Sequence, residues 1–121
     1  MIGKIMERTF ENVGRMDSFT LRNQNGALFT FNDADIDFLL EDMFEDVDQF
    51  VTLTSPVAVN KIRYVQASMC DKGVEVQLGI EEKRTRLVRK ICTQHECLEI
   101  FQTFFEGRFA PKPEEYSPVE F

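Results

Sequence analysis

Residues 74–82, VEVQLGIEE, constrain the fold more than any other stretch of this chain. Val74, Val76, Leu78 and Ile80 fall on one side of an extended backbone, and Glu75, Gln77 and Glu81 fall on the other. A period of two marks a strand with one buried and one wet face. Other β-rich segments surround it: 49–54 (QFVTLT), 60–70 (NKIRYVQASMC) and 84–92 (RTRLVRKIC). Asp71-Lys72-Gly73 is too short for a crossover, so the strands that it joins pair antiparallel. Ser55-Pro56 is expected to end the 49–54 strand, because proline lacks the N–H that a ladder needs.

Upstream, 19–31 (FTLRNQNGALFTF) reads as two short strands around an Asn25-Gly26 turn, since a type I′ turn needs positive φ at both central residues. Asn32 then caps a helix from about Asp33 to Asp46, whose early Asp residues favour its positive end. Thr93-Gln94-His95-Glu96 has the spacing of a capping box and opens a helix to Glu106, which Gly107 terminates. Ile2, Ile5, Met6, Phe10 and Val13 lie at helical spacing, so 1–16 reads as an N-terminal helical segment. The prolines of 108–121 imply an extended Pro-rich tail. The expected architecture is a single domain over 1–121 of α+β class. It has an antiparallel sheet of five to six strands with helices packed on one face, in the order α-ββ-α-ββββ-α.

Hydrophobic residues make up 43% of the chain and twelve are Phe, enough for a core without metal or disulfide staples. The formal charge of −7 argues against nucleic-acid binding, which needs an excess of Lys and Arg, and suits a basic protein partner. MIGKIMERTF is followed by no continuous apolar stretch, so no signal peptide, membrane anchor or membrane association is expected. Three cysteines without a secretory segment imply reduced thiols and a cytoplasmic location.

The candidate site lies in 31–50, FNDADIDFLLEDMFEDVDQF. From Asp33 to Asp48 there are eight carboxylates and no Lys or Arg. On a helical wheel Ile36, Leu39, Leu40, Met43 and Phe44 gather on one arc, and Asp37, Glu41, Asp42 and Glu45 occupy the other. Phe38 falls among the carboxylates, nearly opposite Ile36. Asp33-x-Asp35-x-Asp37 imitates the start of an EF-hand loop, but Phe38 and Phe44 stand where such a loop needs Gly and Glu. A solvated helix face is the plainest reading. Like charges four apart, however, cost about 0.2–0.5 kcal/mol each, and an aromatic ringed by charge has the make-up of an interface anchor. The expected partner-binding residues are therefore Asp37, Phe38, Glu41, Asp42 and Glu45.

No other pattern points to chemistry. Cys92-Thr93-Gln94-His95-Glu96-Cys97 with Cys70 suggests zinc, but there is no C-x₂-C pair, and Cys97 sits on the apolar arc of its helix. His95 is the lone histidine, and no glycine-rich phosphate loop or nucleophile elbow is present. Lys83, Arg84, Arg86, Arg89 and Lys90 make a basic strand whose outward members are expected to pair with Glu75, Gln77 and Glu81. No catalytic residue, cofactor or metal is assigned.

The order of LRNQNGALFTF, IDFLLEDMF, DQFVTLT, IRYVQAS, VEVQLGIEEKRTRLVRK and ECLEIFQTFFEG, spanning Leu21 to Phe109, resembles small bacterial immunity proteins of polymorphic-toxin and contact-dependent-inhibition systems. The resemblance is one of pattern and covers most of the chain. It implies a non-enzymatic inhibitor that binds the C-terminal domain of a cognate toxin, often a basic nuclease or deaminase, inside the producing cell. The chain itself is expected to be a monomer or weak dimer when free. The alternatives are a regulatory or adaptor module, or a homodimer formed through a sheet edge, and a small carboxylate-dependent hydrolase.

Overall fold

A computed structural model describes residues 19–119; the N-terminal segment expected to be helical lies outside them. The elements are β1 (Thr20–Asn23), β2 (Gly26–Leu28), α1 (Asp33–Met43), β3 (Phe50–Val59), β4 (Ile62–Cys70), β5 (Gly73–Ile80), β6 (Arg86–Cys92), α2 (Gln94–Phe105), a 3₁₀ turn (Pro113–Glu115) and β7 (Ser117–Pro118). All seven strands join one sheet in the order β2-β1-β3-β4-β5-β6-β7, and every pairing is antiparallel. The expected five to six strands in the order α-ββ-α-ββββ-α are thus corrected. The described chain is dominated by a seven-stranded sheet with two helices, and it closes on a strand.

The extra strand comes from the tail. Ser117 and Pro118 pair with Arg89 and Val88, and the Val119 N–H donates to the Leu87 carbonyl at 2.9 Å. Proline is tolerated because β7 is an edge strand and its missing N–H costs no ladder bond. The same reasoning explains why Pro56 does not end β3. The β3–β4 register breaks between Thr54 and Val59, so Pro56 falls where no rung is made. Arg63 Nε donates to the Ser55 carbonyl at 2.7 Å, satisfying that interrupted backbone.

The turns also shift. In the first hairpin Asn23 pairs with Gly26, so the loop is Gln24-Asn25 and not Asn25-Gly26. Gly26 follows it at φ 145°. Two successive positive φ values occur instead at Asn60 (50°) and Lys61 (72°), between the paired Val59 and Ile62. That is the backbone of a type I′ loop.

The core joins the inward side of the sheet to the two helices. Leu21, Val51, Leu53, Val65, Val76 and Leu78 are fully buried, together with Ile36, Leu40 and Met43 of α1 and Cys97, Phe101 and Phe104 of α2. Phe19 meets Phe104 and Phe105 edge-on, and Phe31 stacks on Phe105. Such ring pairs add about 0.5–1.5 kcal/mol each beyond area burial. α2 ends in a Schellman motif: Gly107 at φ 80° donates to the Phe104 carbonyl, and the Arg108 N–H donates to Thr103. The helices lean mainly on β3, β4 and β5, so they do not cover the whole face. Tail residues roof the remainder, above Ile62, Leu78 and Val88.

On the opposite face the Tyr64 ring covers Gly79, its cross-strand partner. Any Cβ at 79 collides with that ring. Gly79→Val should therefore lose about 1–3 kcal/mol in urea unfolding, and much of the loss should vanish when Tyr64→Ala removes the ring. An undiminished loss in the double variant contradicts the account.

Candidate docking face on the acidic helix

The start of α1 is fixed by a reciprocal cap. Asn32 Oδ1 accepts the Asp35 N–H at 3.1 Å, and Asp35 Oδ2 accepts the Asn32 N–H at 2.9 Å. Asp35 is thereby absorbed into local structure. The helix stops at Met43, short of the expected Asp46. Asp46 instead accepts the Asp48 N–H at 2.8 Å and shapes the following turn. Ile36, Leu40 and Met43 are buried, while Leu39 and Phe44 pack partly against the core.

The expected partner-binding residues then separate into two kinds. Asp37 accepts a hydrogen bond from Gln102 Nε2 at 2.7 Å, and the same amide reaches the Asp33 carbonyl. Asp37 thus fastens α1 to α2 and is only half-exposed. Glu41, Asp42 and Glu45 are exposed, and among the described residues no side-chain hydrogen bond or ion pair engages them. Phe38 stands 69% exposed between them.

Sequence reasoning missed two further residues. Phe29, 62% exposed, precedes α1, and Val47, 72% exposed, follows it. They flank a helix about 16 Å long. A signal for this region was present: no Lys, Arg or His occurs between Arg22 and Lys61. Helical periodicity could not find Phe29 or Val47, because both lie outside the helix.

Elsewhere most of the described carboxylates are ion-paired. Arg63 meets Glu81 at 2.8 Å, Arg89 meets Glu75 at 3.3 Å, and Arg86 meets Glu82 at 3.3 Å. Each such exposed pair stabilises by only about 0–1 kcal/mol. Lys90 departs from the expected outward basic strand. Its side chain is 11% exposed and holds Glu96 and Glu115, each at 2.8 Å. Glu96 therefore does not complete the expected capping box; Thr93 Oγ1 alone caps α2, accepting the Glu96 N–H. Burial by itself would lower the Lys90 pKa, but the hydrogen bonds to Glu115 and Glu96 outweigh it and raise it above the usual value. The Lys90 hydrogen bond holds the Glu115 carboxyl below its ordinary 4.5. Burial pushes the Tyr116 phenol up to about 12, and its ring lies 5.1 Å from Lys90 Nζ. This cluster clasps the tail to β6 and α2.

Burial pushes the Cys92 thiol up to about 11 and raises Cys97 further, so both are protonated and poorly nucleophilic at neutral pH. Among the described residues no three His, Cys, Asp or Glu side chains gather as a metal site, and no helix is long and apolar enough to cross a membrane. Comparison with family models, curated proteins and solved structures finds no match to this chain.

Two outcomes follow from these contacts. Asp37→Ala should cost about 1 kcal/mol by removing the shorter of the two hydrogen bonds that the Gln102 amide donates to α1, whereas Glu41→Gln, Asp42→Asn and Glu45→Gln should each stay within about 0.5 kcal/mol of the parent. Equal losses at all four positions in urea melts would contradict this division. The stabilisation from Glu115 is full above its unfolded value of 4.5 and fades as pH falls through its lowered folded value. Glu115→Gln should then be less stable than the parent at neutral pH, and the gap should close as pH falls below the ordinary carboxylate range; a pH-independent gap in urea unfolding would remove the clasp.

Proposed function

We propose that this chain is a non-enzymatic immunity protein of the cytoplasm that binds and occludes a basic antibacterial toxin domain of nuclease or deaminase type. The supporting observation is Phe38, 69% exposed amid carboxylates that serve no cap, core or ion pair. Exposing a large aromatic and crowding like charges both cost free energy in the isolated fold. A cationic partner relieves both at once. The carboxylates accelerate encounter with a basic surface, and the aromatic supplies an anchor once water is excluded. Phe38, Glu41, Asp42 and Glu45 form the contact set, with Phe29 and Val47 at its margins. Asp37 is left out, since its carboxylate is committed to Gln102.

The test uses a candidate basic nuclease or deaminase domain, sought as the C-terminal part of any large open reading frame beside this one. Phe38→Ala combined with Glu41→Lys should weaken its binding by about 100-fold or more while leaving the circular dichroism melt nearly unchanged. Binding at parental affinity would move the interface elsewhere. A second reading rests on the edge strand β2, where Leu28 is exposed beside Phe29: a homodimer through that edge. Light scattering of the isolated chain separates the two, a stable dimer favouring the second.

A further inference from the structure

A cleft of about 640 Å³ lies beneath the tail, well away in the sheet order from the β2–β1 end. Ile62, Leu78 and Val88 lie at its base, at most 6% exposed, so its open apolar wall is the partly exposed Ile80 together with Ala110, Pro111, Pro113 and Tyr116 of the tail. The volume falls within the roughly 300–1,000 Å³ typical of small-molecule sites. The roof is built and not merely draped. Asn60 Nδ2 donates to the Phe109 carbonyl at 2.7 Å, holding one end. The Lys90 clasp on Glu115 and the β6–β7 pairing hold the other. Between these anchors two prolines stiffen the span, so the crevice persists without backbone rungs beneath it.

Its mouth has the opposite electrostatics to α1. Lys61, Glu82 and Arg86 line the cleft and also an adjoining depression that contains Lys83 and Arg84. Glu81 is taken by Arg63, and Glu82 by Arg86 Nε alone. Arg86 keeps its terminal guanidinium N–H groups for another acceptor. Lys61, Lys83 and Arg84 make no ion pair among the described residues. A local excess of cations at an apolar crevice, in a chain of net charge −7, specifies a ligand with an apolar body and one anionic end.

We propose that this cleft binds a medium-chain aliphatic carboxylate, its chain between the sheet and the roof and its carboxylate at Lys61 and Arg86. The exposed apolar wall gains from displaced water, and the terminal charge meets the cationic rim to which Lys61 and Arg86 both contribute. This site is independent of the docking face on α1.

Calorimetric and NMR titration with octanoate and 1-octanol tests it. Octanoate should bind one to one with a Kd on the order of 0.1–1 mM. 1-Octanol should bind roughly fivefold more weakly, the worth of one partly desolvated ion pair. Lys61→Met with Arg86→Met should bring octanoate down to the level of the alcohol. Ala110→Trp, at an exposed roof position, should fill the cleft and abolish both. Octanoate shifts in the parent protein should centre on Ile80, Val88 and Tyr116, a readout that needs no variant to fold. No binding at millimolar octanoate, equal affinity for the alcohol, or shifts centred elsewhere would each overturn the proposal.

Discussion

Phe101 and Phe104 of α2 are completely buried between the sheet and the helices, and much of the remaining architecture follows from having to cover the alternating apolar face beneath them. Val51, Leu53, Val65, Val76 and Leu78 present that face because strand side chains alternate. An isolated sheet with such a face would be an aggregation hazard. α2 brings a wide apolar arc and Phe105, against which Phe19 and Phe31 pack. α1 adds Ile36, Leu40 and Met43. With that stripe committed inward and Gln102 fixing the helix through Asp37, the rotation of α1 is settled, and Phe38 has only solvent to face. The exposure of the proposed anchor is thus a geometric result of core packing.

The two ends of the sheet differ in the same physical terms. Toward β2 and β1 the chain offers exposed aromatics, and the carboxylates that follow lie in a stretch with no cation between Arg22 and Lys61. Toward β6 and β7 Glu75, Glu82, Glu96 and Glu115 are each ion-paired, and the tail is fastened by a nearly buried lysine serving two glutamates. A buried cation with only one partner would be costly; two acceptors and the Tyr116 ring make the arrangement tenable. That clasp also keeps the roof of the cleft in place, so the tail has a structural role that its composition conceals.

What was legible in the sequence depended on periodicity. The alternation of Val74, Val76 and Leu78 gave β5 its buried face, and the wheel positions of Ile36, Leu40 and Phe38 gave α1 its inner and outer sides. What was not legible depended on context. Pro56 and Pro118 look like strand breakers until the register shows that one lies at a bulge and the other on an edge. Asn25-Gly26 looks like the hairpin turn, yet the pairing of Asn23 with Gly26 moves the loop back by one residue. Asp37 looks like its acidic neighbours, and only the arrival of α2 from sixty-five positions away gives it a partner. Lys90 reads as one more charge in a basic strand, because nothing local reveals that Glu96 and Glu115 converge on it.

On the proposed reading, a cationic partner relieves the free-energy costs left on the outer face of α1. The most direct measurement is amide chemical-shift mapping of the isotopically labelled chain against such a basic nuclease or deaminase domain. Perturbations should concentrate from Leu28 to Val47 and weaken as salt is raised, with β4 to β6 little affected. Perturbations confined to the outward face of β4 to β6, or to the cleft under the tail, with α1 unchanged, would contradict it.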